Sequence, residues 1–319
     1  MPNYSGVWSL SQQFQAVGQG LWPPNFVPTE TFAIFALGGA PTASTTRNKY
    51  TYSGDAVASA TASSTNSRYG AAAGTATAGI FQIGATGVVR NKYTYSGDIN
   101  AVATSATAST NEGSAAGNST VGIFALGLVP GGCGSVRSTT RNKYTYSGDV
   151  VSAGGAATVA SNLGSAAGTS TVGIFALGAQ CPSCTVISTR NKYTYSGDVV
   201  SAGGAATVAS FYGSAAGNST TGIFTLGRNC SYVNITTRNK YTYSGCVVAS
   251  ATAASAAAYG GSAAGNSTVG IFAIGNAGGV VTTRDKYTYS GCVVSAGGAA
   301  TVASNEGAAA SNGTSGVNM

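Results

Sequence analysis

The 319-residue sequence predicts an all-β fold, a six-bladed β-propeller, on three observations. Two motifs, GIFALG and RNKYTYSG, alternate along the chain and each occurs six times. Their spacing is that of a four-stranded blade, with 43 residues from Arg47 to Arg90 and 51 from Arg90 to Arg141 as the extremes. The two chain ends carry complementary fragments of the repeat, so the ring is expected to be closed by the C-terminal strand pairing in the first blade.

The strands follow from the motifs. GSAAGN recurs at Gly70–Thr75, Gly113–Asn118, Gly164–Thr169, Gly213–Asn218, Gly261–Asn266 and Gly307–Asn312. Its tiny side chains suit the innermost strand, where blades crowd together. GIFALG recurs at Ala33–Gly38, Gly79–Gly84, Gly122–Gly127, Gly173–Gly178, Gly222–Gly227 and Gly270–Gly275. It is apolar on both faces, with Ile123 and Ala125 one way and Phe124 and Leu126 the other, as in a strand covered on both sides. RNKYTYSG recurs at Arg47–Gly54, Arg90–Gly97, Arg141–Gly148, Arg190–Gly197, Arg238–Gly245 and Arg284–Gly291. Tyr144 and Tyr146 share a face and Lys143 and Thr145 the opposite one, which predicts a third, partly exposed strand. Val-rich stretches such as Asp149–Ala153 and Asp198–Ala202 supply the outer strand, and GNST and SGD mark the turns. No window shows the 3.6-residue spacing of a helical repeat.

The argument for closure is one of order. The first GIFALG-type strand, at Ala33, has no GSAAG before it, whereas the tail 307–317 aligns with GSAAGNSTVGI and stops. The tail therefore supplies the inner strand that the first blade lacks.

Composition excludes several functions. There is no histidine, so no Ser-His-Asp or Cys-His arrangement exists, and the commonest zinc and copper ligand is missing. No phosphate-binding loop is present. The net charge of +7 hints at nucleic acid, but of the 15 basic residues all except Arg68, Arg137 and Arg228 belong to the RNKYTYSG repeats. Charges spread so evenly read as solvated strand edges, not as a nucleic-acid patch. Asp55, Asp98, Asp149 and Asp198 are expected to hold turns. Glu112 and Glu306 are the remaining candidates for a carboxylate pair, and they are expected on blades far apart. No run of 18 apolar residues predicts a membrane span, and MPNYSGVWSL lacks the pattern of a secretory signal. The expectation is a protein that is not an enzyme, with no cofactor, no favoured metal, no nucleic-acid partner and no membrane insertion. The NST, NIT, NCS and NGT sequences are read as turns in preference to glycosylation sites.

Candidate binding residues lie in the loops that vary. Propeller loops joining strands 2–3 and 4–1 emerge on one face, and here these loops differ between repeats while the other turns hardly change. They carry Arg68, Tyr69, Arg137, Phe211, Tyr212, Arg228, Tyr232 and Tyr259. Aromatic and arginine side chains on a rigid scaffold are what binding surfaces favour. Neutral drift in tolerant loops explains the same variation. Cys133, Cys181, Cys184 and Cys230 fall in successive 2–3 loops, as disulfides, as a structural zinc site or as unpaired thiols; bridges such as Cys133–Cys181 and Cys184–Cys230 are preferred. Cys246 and Cys292 replace the Asp of SGD and are expected to be free.

Residues 1–30 stand outside the repeat and 31–319 form the propeller. Tyr4, Trp8, Phe14 and Trp22 are apolar anchors of a segment too short for a core of its own, which predicts an attachment arm or a cap on the first blade. The run GSAAGNSTVGIFALG followed by NKYTYSGD resembles kelch repeats, from about Phe32 to Val317. In addition, YSGVWSLSQQFQAVGQGLWP and the KYTYSGD and GNSTxGIFxxG repeats resemble bacteriophage tail and tail-fibre proteins. That resemblance implies a virion component assembled in the bacterial cytoplasm. It implies partners among other virion proteins through the arm, a host-surface glycan or protein on the loop face, and a possible homo-oligomer. A structural decoration subunit and a carbohydrate-active propeller enzyme are the alternatives.

Overall fold

Each repeat folds into one antiparallel four-stranded sheet in which the motifs take the order expected of them. The computed structural model describes residues 31–313 apart from 40–41, 85–86, 132–133 and 181–184. The chain divides into Met1–Glu30 and Thr31–Met319. The arm with Tyr4, Trp8, Phe14 and Trp22, and the cysteines Cys133, Cys181 and Cys184, lie outside the described residues.

The third sheet is typical. From inside to outside it runs Ser114–Gly117, Val121–Ala125, Arg141–Thr145 and Val150–Gly154. Gly117 lies opposite Gly122, which lies opposite Tyr144. A Cβ on Gly122 would stand 2.8 Å from the Tyr146 hydroxyl, so this close crossing needs glycine. Among the described residues there are six such sheets, and the fold is all-β and propeller-like. The one helical element among the described residues is a 3-10 turn at Ser196–Asp198.

The first sheet is completed from the far end of the chain. Ala308–Ser311 pairs antiparallel with Phe32–Ala36, Ala33 opposite Ser311 and Ala36 opposite Ala308. The Phe32 N–H donates to Asn312 Oδ1 at 2.7 Å. Ala308–Ser311 also packs beside the inner strands Ala71–Gly74 and Ser262–Gly265 of its two neighbouring sheets.

The repeat arginines depart from expectation. They are not solvated strand-edge charges: Arg47, Arg90, Arg141, Arg190, Arg238 and Arg284 are at most 1% exposed. The third strand is mostly buried, and only its lysine and threonine stay half-exposed. Each guanidinium reaches into the next sheet. Arg141 lies 4.5 Å over the Phe175 ring and donates from Nη2 to Asn191 Oδ1 at 3.1 Å. Arg47 reaches Asn91, Arg90 reaches Asn142, Arg190 reaches Asn239, Arg238 reaches Asp285, and Arg284 reaches Asn48 of the first sheet. Desolvation lowers the Arg141 pKa to about 10, which leaves it cationic at neutral pH. The face opposite the tyrosines is thus dry at its arginine, because a neighbouring sheet covers it there, and half-exposed at its lysine and threonine.

The turn aspartates behave as expected and do more. Asp55, Asp98, Asp149 and Asp198 adopt left-handed backbone with φ of 53–56°, and so do Cys246 and Cys292 in their places at 54° and 52°. Lys143 Nζ pairs with Asp198 of the next sheet at 2.9 Å, and Lys286 with Asp55 at 3.0 Å. Cys246 and Cys292 are free, in line with the sequence reading. In the GNST turns the Asn118 Oδ1 accepts from Thr120 N at 2.8 Å and Val121 N at 2.9 Å, so this asparagine is a turn residue.

Asn191→Ala strips an acceptor from buried Arg141 and a partner from Thr158. It is expected to cost about 2–4 kcal/mol in denaturant unfolding. Lys192→Ala, one residue on and half-exposed, is expected to cost under about 0.5 kcal/mol. Equal small losses would contradict the buried relay.

Candidate functional site

The 2–3 and 4–1 loops do lie on one face, because they bridge to one another. Ser44 pairs with Ser67, Gly87 with Thr110, Ser138 with Ser161, Ile235 with Ala258 and Tyr259 with Asn276. The strands Ser210–Phe211 and Arg228–Asn229 pair in the same way.

At the inner end of each 4–1 loop, one residue before the inner-strand glycine, the backbone turns left-handed. These residues are Tyr69, Glu112, Leu163, Tyr212, Gly260 and Glu306, with φ between 57° and 66°. Five carry side chains that seldom adopt this conformation, so the turn is held by its surroundings. The hydrogen bonds show what holds it. Each N–H donates to the carbonyl of the preceding one: Tyr69 to Glu306, Glu112 to Tyr69, Leu163 to Glu112, Tyr212 to Leu163, Gly260 to Tyr212 and Glu306 to Gly260, at 2.5–3.2 Å. The same six residues line a central recess of ≈ 350 Å³ of empty space, open solvent included.

This geometry overturns one expectation. Glu112 and Glu306 are not far apart in space but border the same recess. The residue before the inner strand must come to the centre in every repeat, whatever its separation along the chain. Their environments differ. Glu306 is buried and ion-paired with Arg68 Nε. Glu112 accepts from Asn162 Nδ2 at 2.5 Å, and Asn162 Oδ1 in turn accepts from Arg137 Nε at 2.6 Å. Burial, and then the charge of Glu306, push the Glu112 carboxyl above its ordinary pKa against the opposing Asn162 hydrogen bond. Burial likewise raises the Tyr69 and Tyr212 phenols, which stay protonated and able to donate.

Most of the residues expected on the rim are joined here. Tyr69 lies 6.4 Å from Tyr212 by ring centroid, Tyr212 5.4 Å from Tyr259, and Phe211 5.3 Å from Tyr212 and 5.4 Å from Tyr232. Arg68 stacks on Tyr69 and Arg228 on Tyr259, with the Arg228 guanidinium carbon 3.5 Å from the ring centroid. Arg137 belongs to the Glu112 side through Asn162. Phe211 does not contact solvent as a rim residue should: it is 5% exposed and supports the rings above it. Tyr232 is the exposed aromatic, at 63%, and Tyr69, Tyr212 and Tyr259 are half-buried. Cys230 is an exposed free thiol, not half of a Cys184–Cys230 bridge. Among the described residues no group of three or more acidic or cysteine side chains is placed to hold a metal, and no helix is long and apolar enough to cross a membrane. Chemically the face offers flat amphipathic rings, two carboxylates and guanidinium donors around one recess.

The Glu112 carboxyl has a folded-state pKa above its unfolded one, so the fold binds the extra proton. Its ionisation therefore costs stability as pH rises through the folded pKa, and that cost vanishes at acid pH. Glu112→Gln keeps an acceptor for Asn162 and carries no charge. It is expected to raise the melting temperature at pH 7 relative to the parent chain, with the gain fading as pH falls toward 4. A constant offset across that range would contradict the assignment.

No family model and no curated protein matches the chain. Its fold is similar to that of a solved structure of YjhT at a TM-score of 0.58, with 9% sequence identity, over 67% of this chain and 74% of that one. At so low an identity the likeness shows the fold alone.

Proposed function

We propose that the six sheets are the blades of a kelch-like β-propeller, closed by the C-terminal strand, and that its loop-bearing face recognises a glycan without transforming it. Support for the ring comes from the pairing of Ala308–Ser311 with Phe32–Ala36 and from two relays that return to their start, Arg284 to Asn48 and Tyr69 to Glu306. The observation that carries the binding reading is the ring cluster of Tyr69, Tyr212 and Tyr259, of which Tyr69 and Tyr212 line the recess with Glu112 and Glu306. A sugar presents C–H faces that stack on aromatic rings and hydroxyls that pair with carboxylates and guanidinium groups. Half-buried tyrosines held by their neighbours lose little freedom on binding. The setting the sequence resemblance implies is a tailed virion. There the protein contacts the host surface, and Met1–Glu30 attaches it to other virion proteins.

A second reading has one observation behind it. Two carboxylates in different environments on one recess, Glu306 ion-paired and Glu112 raised, are the raw material of glycoside hydrolysis. The Arg68 ion pair and the Asn162 hydrogen bond speak for holding over reacting, since both acids are already engaged.

Binding of the chain to host-surface polysaccharides, measured on a glycan array and by calorimetry, tests the proposal. Tyr212→Ala and Tyr259→Ala are each expected to weaken binding by about 1–2 kcal/mol, roughly tenfold. Glu112→Gln is expected to leave a bound oligosaccharide uncleaved, as in the parent. Cleavage by the parent that this variant abolishes would establish the enzyme reading. No binding by any form would leave a structural decoration subunit.

A further inference from the structure

Five of the six buried arginines, Arg47, Arg141, Arg190, Arg238 and Arg284, keep a buried Nε–H that meets no acceptor, and beside Arg141 this coincides with a recess. A buried charge is ordinarily paired. Among the described residues only Arg238 of the six repeat arginines meets a carboxylate, Asp285 Oδ2 at 2.6 Å. The other sheets carry asparagine at the position of Asp285 and so supply hydrogen bonds without charge. Arg141 is a clear case. Nη2 donates to Asn191 and Nη1 to the Gly155 carbonyl at 3.4 Å, while buried Nε–H meets no acceptor. In the second sheet the equivalent Nε of Arg90 donates to Gln82 Oε1 at 2.7 Å. Gln82 stands opposite Arg90 in the strand register, and the residue opposite Arg141 is Ala125. Where Gln82 fills the space, Ala125 leaves a recess bordered by Arg141, Ser114, Thr140, Ser161 and Phe175.

We propose that this recess binds a small monovalent anion, of halide size, on Arg141 Nε. The anion accepts from the Nε–H as Gln82 Oε1 does in the second sheet, where Arg90 Nη1 is the donor left over. It supplies the negative charge that Asp285 of the sixth sheet supplies to Arg238 of the fifth. Ser114, Thr140 and Ser161 border the recess as well. Water can satisfy the N–H but not the charge. Arg141 remains cationic at neutral pH in spite of burial and has no ion pair among the described residues. Glu112 also borders the recess, but its carboxyl is taken up by Asn162, and burial pushes it toward the protonated form.

The probes are bromide and chloride. Crystals of the full chain grown in sodium bromide are expected to show an anomalous peak in the recess at Arg141 Nε, absent in Ala125→Gln. In solution, replacing sodium gluconate by sodium chloride at equal ionic strength is expected to raise the melting temperature of the parent more than that of Ala125→Gln, because only the parent site gains by mass action. If Ala125→Gln does not fold, Asn191→Asp makes the same test by installing the carboxylate found at Asp285. Water in place of bromide at Arg141, or a chloride effect unchanged in both variants, would overturn the proposal.

Discussion

The contact on which the rest of the structure depends is a buried arginine crossing from one sheet to the next. Apolar packing alone, Phe against Ala and Gly, is non-directional and leaves neighbouring sheets free to slide. The guanidinium removes that freedom. It lies over the phenylalanine ring of the next sheet and donates to one side-chain oxygen there. In the sequence the donor and the acceptor are adjacent, as in Arg141-Asn142. Each sheet therefore receives from the sheet before through its asparagine and gives to the sheet after through its arginine. Asn142 also holds the loop behind it, through Thr107. A dipeptide that both gives and receives can be copied by duplication without redesign, and near-identical repeats are the consequence.

That rigidity lets the loop face vary. The left-handed turn before each inner strand is fixed by a backbone hydrogen bond to its neighbour, so its side chain is free to change. Tyr, Glu, Leu and Gly all occupy this place, and all are delivered to the same central recess. The side chains around the recess can thus change one repeat at a time while the arginine relay beneath stays the same.

Strand identity was legible because it rests on local pattern. GIFALG is apolar on both faces, GSAAG has no bulk and SGD makes a turn, and all six inner-to-outer orders follow. Outer strands begin one residue later than read, at Val150 and not Asp149, because the aspartate is spent on a left-handed turn. The burial of Arg141 was not legible. Alternation along a strand assigns residues to two faces but does not say which face is wet, and here a neighbouring sheet covers the arginine end of the face opposite the tyrosines. The meeting of Glu112 and Glu306 was hidden for a related reason. Their distance along the chain is long, and only the equivalence of their positions in the repeat, just before the inner-strand glycine, brings them together. Phe211 was read as rim because it stands in a variable loop, but its pairing with Arg228 in a two-residue ladder places its ring under Tyr212 and Tyr232.

Hydrogen exchange of the backbone amides in Ala308–Ser311 tests the central claim, that relay and strand pairing together close the repeats into one ring. If the ring is closed, these amides exchange as slowly as those of the inner strand Ser165–Gly168, which sits mid-chain between two sheets. If the C-terminal segment exchanges at the rate of an unpaired tail while Ser165–Gly168 stays protected, the repeats form an open array and the account is wrong.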